Sequence, residues 1–148
     1  MPITKEVLDK CFAKMKLSES TWERLQRYRA RAESITPPYA TVGGRGSELS
    51  DKVGNGVAAM DELVRQSREQ VSEYAELAVI VNEAIFLLLD DPLQQNIMGL
   101  RYLDGMEWSM IAEKLNYSER RCYQIHRAAL IAMGIDPGED CSPLQPEV

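Results

Sequence analysis

Histidine occurs once in this chain, at His126, and cysteine three times, at Cys11, Cys122 and Cys141. A single imidazole excludes a His-rich metal site and most histidine-based acid–base chemistry. Three scattered thiols, odd in number, form neither a metal-binding set nor a disulfide framework, so a reducing compartment is expected. Phe and Trp are sparse, two of each, which leaves the core to Leu, Ile, Val and Met. The apolar run over residues 84–89 is not exceeded elsewhere and is far short of the ~20 needed to cross a bilayer, so no membrane partner is expected. Lys5, Glu6, Asp9, Lys10, Lys14, Lys16 and Glu19 crowd the first twenty positions, a composition unlike a signal peptide, and a cytoplasmic protein is expected. No strand pattern precedes a Gly-rich phosphate loop. The pairs Asp61–Glu62 and Asp90–Asp91 read as solvated faces or caps, and Cys122 as a small core residue. Neither an enzyme nor a bound cofactor or metal is expected.

What is present is ordinary for a folded protein: 148 residues, 45% hydrophobic and 27% charged, enough for one domain or a small domain with a helical extension. The net charge of −6 is unevenly spread. Residues 1–36 carry 8 basic and 5 acidic side chains, whereas residues 47–92 carry 3 and 10. Residues 93–133 are nearly balanced, with 5 basic and 4 acidic. An acidic total argues against indiscriminate coating of nucleic acid, but leaves room for one DNA-reading helix on an acidic body.

The periodicity predicts an all-α chain. In the N-terminal segment, residues 1–36, Leu8, Cys11, Met15, Ser18, Trp22, Leu25 and Ala32 recur at helical spacings; the pattern leaves open a break near Ser18 or one continuous helix. Residues 37–56, with Pro37–Pro38, Gly43–Gly44, Gly46, Gly54 and Gly56, read as a connection. A long central helix follows over 57–90. Val57, Val64, Val71, Ala78 and Ile85 take heptad position a, and Met60, Ser67, Tyr74, Val81 and Leu88 take position d. All but Ser67 are apolar or aromatic, the signature of a coiled-coil seam roughly 50 Å long. Either the N-terminal helix folded back as a hairpin or a second copy of the chain would cover it, and a homodimer is expected.

Asp91–Pro92 opens the next helix as cap and first residue. Leu93, Ile97, Leu100 and Leu103 line it, and Asp104–Gly105 ends it. Two helices then follow, over about 108–115 and 119–133, with Gly134 and Pro137 as stop signals. Residues 135–148 read as an acidic, flexible tail.

The last helix pair fits a helix-turn-helix. Ala112 is small where helices cross, and Ile111 and Leu115 point inward. Asn116 stands where a positive φ is needed, and Ser118 can cap the second helix. Cys122, Ile125 and Ala129 pack that helix inward, with His126 beside them as a structural or phosphate-side neighbour. No Ser, Thr or Asp caps the first helix at Trp108. The outer face of the second helix carries Glu119, Arg120, Tyr123, Gln124 and Arg127, flanked by Arg121. Arg reads guanine, Gln adenine and Glu cytosine through bonds to base edges. Arg121, Arg127 and, on the first helix, Lys114 suit phosphate. Double-stranded DNA is therefore the expected partner.

The stretch LRYLDGMEWSMIAEKLNYSERRCYQIHRAAL at 100–130 resembles region 4 of sigma-70-type factors, and resembles more closely the small phage and prophage proteins of the ArpU- and RinA-like late regulators. SITPPY at 34–39 and DKVGNGV at 51–57 are similar to segments of such phage proteins. The resemblance implies an all-α chain of long helices followed by a sigma-region-4-like helix-turn-helix over 91–134, working as a transcription regulator in the cytoplasm of a bacterial host. It implies base contacts by Glu119, Arg120 and Gln124, with Arg121, Tyr123 and Arg127 supporting or touching the backbone. The sigma-like surface and the acidic tail are two places for contact with host RNA polymerase. No region 2 is present, so promoter melting in the manner of a complete sigma factor is not implied. Two other readings share the pattern: a small terminase subunit that recognises phage DNA for packaging, and a protein-interaction module built on the same helices.

Overall fold

Helices too short to stand alone in water must find an apolar wall, and the C-terminal third of this chain finds one on its two long helices. The computed structural model describes residues 3–35 and 46–138. Every regular element among them is helical: α1 (Lys5–Ile35), α2 (Gly46–Leu88), α3 (Pro92–Met98), a π-helical turn (Gly99–Leu103), α4 (Trp108–Leu115) and α5 (Glu119–Ala132). No helix among the described residues is long and apolar enough to cross a membrane. The chain divides into two compact units, one of Met1–Lys16 with Glu73–Val148 and one of Leu17–Ser72. Both long helices pass from one unit into the other.

Helix α1 runs without a break through Ser18, which decides between the two alternatives left by the sequence. Leu8, Cys11, Ser18, Thr21 and Leu25 are its buried positions. Trp22, expected on this line, is 51% exposed. Thr21 continues the steps of three and four from Ser18 to Leu25, and Trp22 lies about 100° further round the helix. Helix α2 begins at Gly46, so residues 46–56 of the expected connection are helical; its remainder, 37–45, lies outside the described residues.

In the first unit one core joins the start of α1, the end of α2 and the last helices. Leu8 and Cys11 meet Val81, Ile85 and Leu89, together with Met98, Tyr102, Ala129 and Leu130. Tyr74, Leu77 and Ala78 pack on its edge. The seam residues Tyr74, Ala78, Val81 and Ile85 are thus spent on the chain's own core rather than left for a second copy. Leu88, also assigned to the seam, is exposed while Leu89 is buried. A helix of 3.6 residues per turn drifts ~20° per heptad against a seven-residue repeat, enough to move the inward position from 88 to 89. In the second unit Ser67 is buried, Met60 and Val64 are half-buried, and Val57 and Val71 are 53% and 50% exposed.

A second core lies beneath α4 and α5, with Ile97, Leu100, Ile111, Ala112, Cys122 and Ile125 buried. Asp91 caps α3, its carboxylate accepting from the Leu93 N–H at 3.0 Å, with Pro92 in the first turn. Beyond Met98 the backbone takes one π-turn, closed by Asp104 N–H donating to the Gly99 carbonyl at 3.0 Å. This wider turn carries both Leu100 and Tyr102 inward, where the expected face had Leu100 and Leu103. The Tyr74 hydroxyl donates to the Leu103 carbonyl and ties α2 to the end of the turn. Gly105 then turns the chain at φ +68°.

The expected tail does not begin at residue 135. Gly134 takes φ +78°, and the Ile135 N–H donates back to the Leu130 carbonyl at 2.9 Å. Ile135 is buried in the first core, the hydrophobic contact that accompanies this type of helix ending. Residues 139–148 lie outside the described residues.

Three substitutions test this packing. A Cβ at Gly105 would lie 2.8 Å from Met15 Cγ, at a φ that L residues disfavour, so Gly105→Ala is expected to cost about 1–2 kcal/mol or more in urea unfolding. Val81→Asp, which buries an unpaired carboxylate, is expected to abolish cooperative unfolding. Val71→Asp, 50% exposed in the single chain, is expected to keep cooperative unfolding.

Candidate nucleic-acid interface

The turn between α4 and α5 is built by three residues with separate tasks. Asn116 ends α4 in the left-handed conformation, φ 58° and ψ 36°, which Asn tolerates better than most residues. Tyr117 N–H donates to the Ala112 carbonyl at 3.0 Å, closing the end of α4. Ser118 then opens α5, its hydroxyl accepting from the Arg121 N–H at 3.1 Å. Ser118 therefore acts on the backbone of α5. Cys122, Ile125, Ala129 and Leu130 bury one side of this helix, which turns its other side to solvent.

That solvent side carries the expected residues. Arg120, Arg121, Gln124 and Arg127 are exposed, as is Lys114 on α4, and Glu119 and Tyr123 are half-buried. Arg121 reaches the Gln124 side-chain oxygen at 3.5 Å. Among the described residues no carboxylate lies within ion-pair distance of Arg120, Arg121, Arg127 or Lys114. Elsewhere in the chain cations do find acids: Arg65 holds Glu62 and Glu69 at 2.5 and 2.8 Å. The outer face of α5 is thus a set of uncompensated guanidiniums with one amide among them, a donor-rich surface suited to phosphate and to guanine or adenine edges.

Tyr123 is held by a tilted ring contact. Its ring meets Trp108 at 4.7 Å between centroids, and burial together with nearby Glu119 pushes its phenol above the ordinary range. It therefore remains a neutral hydroxyl. Trp108 also meets the His126 ring edge-on at 4.8 Å, and the Arg101 guanidinium lies 4.9 Å from the Trp108 ring and 4.0 Å from the Phe12 ring. Arg101 donates to the Met106 carbonyl at 3.0 Å and pairs with Glu107 at 3.6 Å. Glu107 occupies the cap position of α4 but makes no capping bond; its carboxylate is engaged by Arg101 and by Lys16 at 3.5 Å.

His126 is an interior residue, 2% exposed. Lys5 donates to the Tyr102 hydroxyl at 3.2 Å, and that hydroxyl lies 2.6 Å from His126 Nε2. With Lys5 as its donor, Tyr102 is free to donate to Nε2, which leaves the imidazole proton on Nδ1. Nδ1 has no partner among the described residues. Burial, reinforced by repulsion from Lys5 and Arg101, pushes the imidazole down to about 3. A polar thread thus runs from α1 through the π-turn to α5. No spacing rule joins Lys5, Tyr102 and His126 in the sequence, and the sequence reading missed it. The single buried imidazole between two expected core positions was the one available sign. Cys11 and Cys122 are raised by burial, Cys11 to about 11, which makes both thiols poor nucleophiles.

An open groove of about 340 Å³ lies between the end of α2 and α3, walled by Phe86, Pro92, Gln95, Asn96, Gly99 and neighbouring residues. Its lining holds no charged side chain, so it offers nothing for phosphate.

Comparison with protein families, with curated proteins and with solved structures finds no match for this chain.

The depressed imidazole has a consequence for stability. Below pH 6.5 the unfolded chain takes up a proton on His126 that the folded chain refuses until about pH 3. Stability is therefore present above 6.5 and is lost as the pH falls between these values, by up to ~1.4 kcal/mol per pH unit. Urea midpoints measured from pH 7 to pH 4 are expected to fall less steeply for His126→Phe than for the unaltered chain.

Proposed function

We propose that this chain is a sequence-specific DNA-binding transcription regulator of phage or prophage type, in which α4 and α5 act as a helix-turn-helix and α5 enters the major groove. The observation that carries the reading is the outer face of α5: Arg120, Gln124 and Arg127 exposed and without acidic partners, on a helix whose other side is buried. Arg120 and Gln124 read base edges, with Glu119 beside them at the N-terminal end that enters the groove. Arg121, Arg127 and Lys114 meet phosphate. Tyr123, packed against Trp108, supports the backbone contact, and Ser118 fixes the start of the reading helix. The resemblance of residues 100–130 to sigma region 4 and to the ArpU- and RinA-like regulators supports the same assignment, and contact with host RNA polymerase belongs to it. Val57 and Val71, half-exposed on α2, are the seam positions left for a homodimer, which would recognise a repeated or pseudo-palindromic site.

The test is footprinting on labelled fragments that tile the DNA around the protein's own gene, at two salt concentrations. One protected region weakened by salt is expected. Arg120→Ala should lose ~1–3 kcal/mol there and relax the preference at one base position. Unchanged affinity in that variant would overturn the assignment of the reading face, and absence of any footprint would overturn the DNA reading.

A further inference from the structure

Helix α1 carries a second concentration of cations within the Leu17–Ser72 unit. Between residues 21 and 32 stand four arginines, Arg24, Arg27, Arg29 and Arg31, against one acid, Glu23. Ser18, Thr21 and Leu25 define the inward line of the helix. Measured from that line at about 100° per residue, Arg24, Arg27 and Arg31, at i, i+3 and i+7, lie within about 60° of one another, from the flank of the helix at Arg24 to its far side at Arg27. Tyr28, 41% exposed, stands beside them. Arg24 and Arg27 are exposed and have no carboxylate within ion-pair distance among the described residues. In the same unit Arg65 shows what an arginine does when acids are in reach, with Glu62 and Glu69 both engaged.

We infer that this Arg24–Arg27 face of α1, with Tyr28 beside it, is a second DNA contact that grips the phosphate backbone of a duplex without reading its sequence. The argument is one of charge complementarity. Guanidinium groups match phosphate oxygens in paired hydrogen bonds. Arg24 and Arg27 stand about 4.5 Å apart along the helix axis, and a duplex presents one phosphate per ~1.7 Å of its own axis, so phosphates fall within reach of both. Residues 47–92 carry ten acids against three bases and repel a polyanion, which leaves the arginine face as the attractive surface of this region. A lipid surface fits less well. An interfacial helix must insert its apolar side, whereas the inward side of this one is already buried at Thr21 and Leu25.

The inference rests on the DNA-binding reading, and one experiment separates the two. The probe is a fluorescent 30-base-pair duplex of mixed sequence, titrated with the full chain over a series of KCl concentrations. Four proteins are compared: the unaltered chain, Arg24→Gln/Arg27→Gln, Arg120→Gln/Arg127→Gln, and Arg65→Gln as the control for an arginine already paired with acids. Circular dichroism and native mass accompany each. The first double variant is expected to reduce the slope of log K against log salt by about 1.8, at 0.9 for each phosphate no longer neutralised, with helicity and mass unchanged and the control at the unaltered slope. A slope reduced only by the Arg120/Arg127 variant would overturn this inference and leave the α5 reading standing. A slope reduced only by the Arg24/Arg27 variant would support it and count against α5. Dissociation of an oligomer in the Arg24/Arg27 variant, with the DNA slope unchanged, would give this face to the acidic helix of a second copy and overturn the inference. No binding by the unaltered chain would overturn both.

Discussion

The burial of α5 against the paired long helices is the constraint on which the rest of the structure depends. Helices of seven, eight and fourteen residues are marginal on their own in water. Ala129, Leu130 and Met133 gain their apolar surroundings from Leu8 and Cys11 of α1 and from Val81, Ile85 and Leu89 of α2. Once that side of α5 is inward, the geometry of a helix leaves no freedom to the other: Arg120, Gln124 and Arg127 must face solvent. The proposed reading face is in this sense a by-product of where the leucines and isoleucines go. The start and the late middle of the chain therefore belong physically to the same body as its C-terminal helices, although about 120 residues separate Leu8 from Ala129 along the sequence.

A polar thread crosses this apolar body. Lys5, Tyr102 and His126 are linked end to end, and Arg101 lies against the rings of Phe12 and Trp108. Such contacts set orientation more than they add stability, because each polar group loses water as it gains a partner. The cost is visible at His126, where the interior pushes the imidazole far below its ordinary range and leaves Nδ1 without a partner among the described residues. In return the ring of His126 and that of Tyr123 both rest on Trp108. This holds α4 and the middle of α5 in one relation, and a surface that is to match a groove needs that rigidity.

Local signals were legible wherever a residue's task is discharged within a few positions of itself. Asn116 at the left-handed turn, Ser118 as cap, Asp91 before Pro92 and Gly134 at the end of α5 all act on their own neighbours, and each does so through chemistry peculiar to its residue type. The inward positions Ile111, Ala112, Cys122, Ile125 and Ala129 were legible too, since three- and four-residue spacing is a property of the helix itself. Helical character throughout follows from the same periodicity. The surface residues proposed to meet DNA were identified as the complement of that buried set.

What only the tertiary structure decided is which distant residues meet. The seven-residue repeat of α2 is real, but a repeat specifies that a face must be covered and not what covers it; here the late positions are covered by α1 and by the last helices of the same chain. The exchange of Trp22 for Thr21 and of Leu88 for Leu89, and the inward turn of Tyr102, each amount to one step of about 100° round a helix. Pattern cannot resolve such a step, because several neighbouring residues are apolar enough to serve and the packing partner makes the choice. Ile135 was hidden by its polar neighbours for the same reason, as a single apolar side chain whose place depends on a cavity formed by other segments. The sequence by itself thus determined the helices, their caps and the chemistry of their faces, which are short-range properties of the chain. The tertiary structure decided the partners, because burial is settled between segments that sequence spacing does not connect.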